Sequence, residues 1–168
     1  MQQKLIIIRG NSGSGKSSAA EKLQRAMGYG TMLIPQDVVR REILMVRDTD
    51  HNHSIQLIYD MAIYGKNLGY DVIIEGILVK KRYGDMLHKL IADFDGQACV
   101  YYFDISFNET LRRHNLKPVA HEFGESEMKQ WWNDDDRLGL GYEKTITEDM
   151  SQNQIVEIIK ADCDRINL

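Results

Sequence analysis

Three observations predict an α/β fold, a parallel sheet covered by helices on both faces. Short apolar runs alternate along the chain with stretches of helical periodicity. The runs are apolar throughout rather than two-faced, as strands buried on both sides are. A glycine-rich turn joins the first run to the first helix, the usual way into a β-α-β unit. The elements follow in order. Lys4 to Arg9 reads as a buried strand, and Lys16 to Met27 as a helix with Ala19, Ala20, Leu23 and Met27 on one face, stopped by Gly28 and Gly30. Thr31 to Ile34 is a second strand ended by Pro35. Helical patterns then cover Asp37 to Arg47 and Ser54 to Leu68, the latter with Ile55, Ile58, Met61 and Ala62 on a shared face. Val72 to Val79 is the third strand, Met86 to Phe94 a helix carrying Leu87, Leu90, Ile91 and Phe94, and Ala98 to Ile105 the fourth strand. Ser106 with Glu109, and Ser151 with Gln154 ahead of Ile155, Val156, Ile158 and Ile159, have the spacing of capping boxes.

A chain of 168 residues buries roughly 70% of its unfolded surface, enough for one core. With no repeat and no linker, 1–168 is expected to be a single domain. The net charge of −4 disfavours an electrostatic grip on nucleic acid by the whole protein. That charge is uneven, +3 over residues 1–118 against −7 over 119–168, which places any anion the protein handles against the first two-thirds. Cys99 and Cys163, 64 positions apart, fit neither a disulfide framework nor a metal-ligand spacing, and read as buried thiols in a reducing cytosol. The run Leu5 to Ile8 is too short for a signal-peptide core or a membrane span, so a soluble cytoplasmic protein is expected.

The sharpest chemical signal is Gly10-Asn11-Ser12-Gly13-Ser14-Gly15-Lys16-Ser17, a P-loop where the first strand meets the first helix. Its glycines let the backbone curl so that successive N–H groups face a phosphate at the helix N-terminus. Asn11, Ser12, Gly13, Ser14, Gly15, Lys16, Ser17 and Ser18 are therefore the expected nucleotide contacts, with Lys16 on the β and γ phosphates and Ser17 on Mg²⁺. A dinucleotide-binding fingerprint does not fit, because Ser18 stands where its third glycine would.

Three further positions matter through their place at strand ends. Asp37, just past the second strand, is placed to take the proton of an attacking hydroxyl, and Arg40, one helical turn on, faces the same way; the competing reading makes Asp37 an ordinary helix N-cap. Glu75 ends the apolar run Val72-Ile73-Ile74, where a ligand to a Mg²⁺-bound water or a substrate contact is expected. Lys80, Lys81 and Arg82 follow directly and suit either an anionic substrate or a solvated helix start. His51 and His53 read as loop polars rather than metal ligands, and residues 118–142, with His121, Phe123 and the adjacent Trp131 and Trp132, are expected to decide the substrate.

On Gly10 to Ser18, the Asp37-x-x-Arg40 step and Ile73-Ile74-Glu75-Gly76, the chain resembles the small P-loop kinases, the group that includes zeta toxins, chloramphenicol phosphotransferase and polynucleotide 5′-kinases. The similarity covers most of the chain. Ile77 stands where zeta toxins carry a threonine after Glu-Gly, so that hydroxyl contact is missing here. The resemblance implies a three-layer P-loop NTPase fold, nucleoside-monophosphate-kinase-like, with a parallel sheet of about five strands. It further implies ATP and Mg²⁺ as cofactors, Asp37 as general base, Arg40 toward the acceptor and a lid over about residues 112–130, while Glu75 and Arg82 toward the substrate and Ser17 and Glu75 toward the metal rest on their own places in the sequence. The lid arginine carried over is Arg113, with Arg112 left open beside it. The acidic balance and the lack of a basic track favour a small hydroxyl-bearing acceptor, such as a nucleoside, sugar or antibiotic, over a polynucleotide 5′-hydroxyl. A nucleotide-binding module without phosphotransfer is the third reading. Neither the acceptor nor the oligomeric state follows from the sequence.

Overall fold

The computed structural model describes residues 2–116 and 124–166. Among these residues the strands β1 (Leu5–Gly10), β2 (Thr31–Pro35), β3 (Asp71–Gly76), β4 (Ala98–Asp104) and β5 (Lys144–Thr147) form one sheet in the order β2-β3-β1-β4-β5, with every pairing parallel. β1 lies in the middle because Leu5, Ile6, Ile7 and Ile8 are apolar on both faces. Leu5 and Ile7 enter one core and Ile6 and Ile8 the other. All four are fully buried, each contributing about 1.5–3 kcal/mol of apolar transfer.

The helices α2 (His53–Asn67) and α3 (Lys80–Asp93) cover the first face; α1 (Lys16–Met27) and α6 (Gln152–Arg165) cover the second. Helix α1 buries Ala19, Ala20 and Leu23, as its periodicity predicts, and passes into Gly28 at φ 82°. Helix α6 opens with the reciprocal capping box of Ser151 and Gln154. In α2 the buried stripe is Ser54, Ile58, Ala62 and Gly65, with Ile55 and Met61 only partly buried. The stripe is displaced because α2 rides very close to the sheet. A methyl group at Gly65 would lie 2.8 Å from Met32 Sδ and 3.0 Å from Val72 Cγ2. Among the described residues no helix is long and apolar enough to cross a membrane.

Four expectations are corrected. The helix expected over Asp37 to Arg47 is a single π-helical stretch, Val38–Ile43, after which Leu44 N–H bonds Val39 O and Val46 N–H reaches Arg40 O. The wide turn swings the chain away to deliver residues 45–52. The third strand stops at Gly76 rather than Val79, and α3 begins at Lys80, earlier than its apolar periodicity suggests. On α4 (Phe107–Asn115) the Ser106 side chain caps Glu109 N–H, but Glu109 does not reciprocate, because both its oxygens are held by Arg112 and Arg113. Ser106 N–H bonds Glu148 instead. Leu116 is the last described residue before 117–123, so His121 and Phe123 lie outside the described residues. The chain resumes at Gly124, ahead of the short helix α5 (Glu125–Gln130).

A charged side chain sits inside this apolar frame. Arg9 on β1 is fully buried. Its Nε and Nη2 donate to Leu78 O at 3.2 and 2.9 Å, Nη1 to Asp136 O at 2.7 Å, and Nη2 to the Asp136 carboxylate at 2.8 Å. Glu143 is 3.7 Å from Nη1 and almost fully buried itself. Burial pushes the guanidinium below its ordinary pKa, and Asp136 and Glu143 push back. Asp136 also accepts the Lys80 N–H at 2.8 Å, closing the N-terminus of α3. Replacing Arg9 by methionine strips the cation from two carboxylates. Urea denaturation of Arg9→Met is expected to show a loss of about 3–5 kcal/mol.

Candidate active site

The carboxyl ends of β1, β2 and β3 open into one cleft of about 1010 Å³, lined among others by Ser12, Lys16, Asp37, Glu75 and Trp131. This is where an open parallel sheet exposes loops able to bind a ligand. The P-loop after β1 needs its glycines. Gly13 and Gly15 have φ of +77° and +94°, and a methyl group on Gly13 would come within 2.8 Å of Thr110 O. Lys16, the first residue of α1, is buried, and its ammonium donates to Asn11 O at 2.7 Å and Ser14 Oγ at 3.2 Å, across the mouth of its own loop. Ser17 follows on the exposed side and donates to Glu75 Oε1 at 3.2 Å. Ser18 is exposed on α1.

Glu75 is 5% exposed. Burial raises its pKa above the ordinary 4.5, with Lys16 and the Ser17 hydroxyl pulling the other way. Gly76 beside it lets Gln36 close in, since a methyl group there would stand 2.4 Å from Gln36 Oε1, the atom that accepts the Leu78 N–H. The hydroxyl of Ser17 and the carboxylate of Glu75 make a hard-oxygen pair at the foot of the P-loop, the donor type that suits Mg²⁺.

Asp37 lies at the rim of the same cleft, about half exposed. Its side chain makes no cap hydrogen bond, so the competing N-cap reading fails. Arg40 Nη2 donates to Asp37 Oδ1 at 3.0 Å, with Arg41 Nε at 3.5 Å from the same oxygen. Arg40 is the better buried of the two, anchored through Nη1 to Val46 O, and its Nε is buried without a hydrogen-bond partner.

Arg82 reaches the cleft with its charge already answered, its Nε and Nη1 donating to Asp50 and Asp48 at 3.0 and 3.2 Å. Those two aspartates come from the segment delivered by the π turn. Of the two candidate lid arginines, Arg112 is well exposed and held by Glu109, whereas Arg113 Nη1 donates to Ser14 O at 2.9 Å. The structure therefore brings Arg113 to the P-loop and leaves Arg112 outside. The paired arginines hold the Glu109 carboxyl well below the usual carboxylate range. Trp131 is 44% exposed and lines the cleft, and Trp132 packs edge-on to Phe107 with its indole N–H on Asp134. His51 carries φ 59° in the turn before α2, and His53 opens that helix, exposed.

Two features escape sequence reasoning. Asn11 is expected to contact nucleotide, yet its side chain is committed elsewhere. Its Nδ2 donates to Asn133 O at 2.8 Å and its Oδ1 accepts Asn133 N–H at 2.9 Å, clamping the tryptophan wall onto the P-loop. His114 is buried at the end of α4 and lines the cleft. The Arg9 cluster had one legible trace, a cation ending an otherwise apolar buried strand in a chain whose acid surplus lies far downstream.

No protein-family model and no curated protein matches the chain. Solved structures do. Gluconokinase from Sinorhizobium meliloti 1021 superposes with a TM-score of 0.68 at 18% identity, covering 98% of this chain and 94% of that one. The APS kinase of Mycobacterium tuberculosis, solved with AMPPNP and APS, gives 0.74 at 18% identity over 98% of both chains. A tunicamycin resistance protein of Deinococcus radiodurans gives 0.65 at 15% identity over 96% of both. Likeness at these identities is likeness of fold, and the chain shares the fold of this gluconokinase and this APS kinase.

Proposed function

We propose that the protein is an ATP-dependent kinase that transfers the γ-phosphoryl group to a hydroxyl of a small-molecule acceptor, a nucleoside, sugar or antibiotic-like compound, with Asp37 as general base. The observation that carries this reading is that one cleft holds Lys16, Ser17, Glu75 and Asp37 from three adjacent strand ends. The fold neighbours named for gluconate and for APS support a small acceptor. ATP enters with its phosphates on the P-loop amides, and Lys16 turns its ammonium from Asn11 O and Ser14 Oγ to the β and γ oxygens. Ser17 and Glu75 are the residues that would hold Mg²⁺, which when bound offsets charge on those oxygens. Asp37, oriented by Arg40 and Arg41, accepts the proton of the acceptor hydroxyl as its oxygen attacks in line. Arg113, on the lid proposed for residues 112–130, is the arginine that would turn from Ser14 O to the phosphates once ATP is bound. Arg82, with its aspartate partners, borders the acceptor side of the cleft.

A screen of hydroxyl compounds for ADP release tests the reading directly. A compound is expected to raise turnover well above the water-driven rate, and none doing so would overturn it. Asp37→Asn should lower kcat by about 10²–10⁴-fold and cost at most about 1 kcal/mol in urea denaturation, because what it gives up is the ion pairing of a largely exposed carboxylate with Arg40 and Arg41.

Glu75 makes the pH prediction. Its folded pKa is raised, so above 4.5 the folded state binds more proton than the unfolded chain, and stability falls as pH climbs from 4.5 through the raised value. Glu75→Gln should remove that slope and stabilise the protein at neutral pH. The same variant is expected to lower Mg²⁺-supported turnover by at least about 10²-fold, measured beside urea midpoints across the acid-to-neutral range.

A further inference from the structure

Away from the cleft, Cys99 on β4 and Cys163 near the end of α6 are both buried, and their sulfurs stand 3.7 Å apart, with the Cys163 thiol donating to Cys99 Sγ. The contact is held in place by Asp162. Tyr101 OH donates to one of its oxygens at 2.7 Å and Lys144 Nζ to the other at 2.6 Å. Asp162 thus fixes the helical turn carrying Cys163 against the strand carrying Cys99. Access comes from the shortness of β5, which pairs with β4 only from Tyr101 to Asp104. Along the rest of that edge a cavity of about 330 Å³ is lined by Cys99, Tyr101, Lys144 and Asp162. The two sulfurs are unequal. The S–H donated by Cys163 holds the Cys99 thiol below its ordinary pKa, while that same contact and burial push the Cys163 thiol up.

We propose that Cys99 and Cys163 are a peroxide-oxidisable dithiol, Cys99 the attacking and Cys163 the resolving sulfur, which closes to a disulfide joining α6 to β4. The Cys99 thiolate attacks one oxygen of a hydroperoxide and the O–O bond breaks. With hydrogen peroxide, the departing hydroxide takes up the thiol proton as water, and Cys99 becomes a sulfenic acid. Cys163 then attacks that sulfur, the S–O bond breaks, and its own proton leaves with the hydroxyl as a second water. Two thiols are oxidised and one peroxide is reduced. The new bond fixes the far end of the helix whose first residue, Gln152, touches Gly15 O of the P-loop. None of this depends on what the cleft binds.

The test treats the full chain with hydrogen peroxide, then unfolds it, alkylates it and weighs it. Both thiols should be lost together, with a mass lower by two hydrogens and a Tm higher by about 10 °C, all reversed by dithiothreitol. Cys163→Ser should stop at a Cys99 sulfenic acid captured by a cyclic 1,3-dione, and Cys99→Ser should leave Cys163 unreacted. The proposal is overturned if both thiols survive, if Cys163 reacts as readily in Cys99→Ser as in the parent, or if Cys99 gains two oxygens while Cys163 can still be alkylated.

Discussion

The guanidinium of Arg9 is where the sheet, the cleft and the acidic third of the chain are joined. Its donors fork to Leu78 O on the loop after β3 and to Asp136 on the segment after α5. Residues of both segments line the cleft, Ile77 and Val79 from the first and Trp131, Trp132 and Asn133 from the second, and neither has a regular backbone ladder to hold it. A lysine could not replace this fork, because one ammonium cannot span a carbonyl and a carboxylate in fixed directions. Burying a cation here is costly on its own. It is tolerable because Asp136 and Glu143 answer the charge and because Asp136 spends a lone pair on the first N–H of α3. One buried ion cluster therefore positions the wall that carries Trp131 and starts the helix that carries Arg82.

The parts legible in the sequence are those set by local chemistry. Consecutive Ile residues at positions 6 to 8 can only be a strand buried on both faces, and Gly13 and Gly15 announce the left-handed turns of the P-loop. Asp37 and Glu75 were legible because they follow apolar runs, and strand ends in a parallel sheet share one edge. Pairings between distant segments were not legible. Arg9 meets Asp136 across 127 positions and Asn11 meets Asn133 across 122. No periodicity encodes either. The π turn at Val38–Ile43 escaped because its residues have ordinary helical propensity, and its width shows only in the bonds from Leu44 N–H to Val39 O and from Val46 N–H to Arg40 O. The box expected at Ser106 failed for a related reason. Glu109 has better partners in two arginines than in a backbone amide, a choice spacing alone does not reveal.

The charge asymmetry gains a structural meaning from these contacts. The surplus of acid after residue 118 is partly spent on cations supplied by the first two-thirds, with Asp136 and Glu143 on Arg9 and Asp164 near Lys4. Within the first two-thirds, Asp48 and Asp50 hold Arg82, and Asp37 holds Arg40. Much of the positive charge near the cleft is therefore kept in defined directions before any ligand arrives. A cation held by a rim carboxylate keeps its geometry and can still share its remaining N–H groups, so less side-chain entropy is lost when a substrate binds.

The same logic extends to the P-loop, which is gripped from outside by residues that have no place in its motif. Asn133 holds Asn11, Arg113 holds Ser14 O, and Gln152 holds Gly15 O. The bonds from Arg113 and Gln152 end on backbone carbonyls of the loop. Ser14 O takes its donor from Arg113, and a buried carbonyl without a donor is itself a cost, whereas Gly15 O also accepts the Ala19 N–H of α1. The P-loop motif can thus be written in eight residues, but in this chain its conformation is completed by three others from α4, α6 and the segment after α5. Changes at Asn133 or Gln152 would act on the P-loop even though neither belongs to its motif.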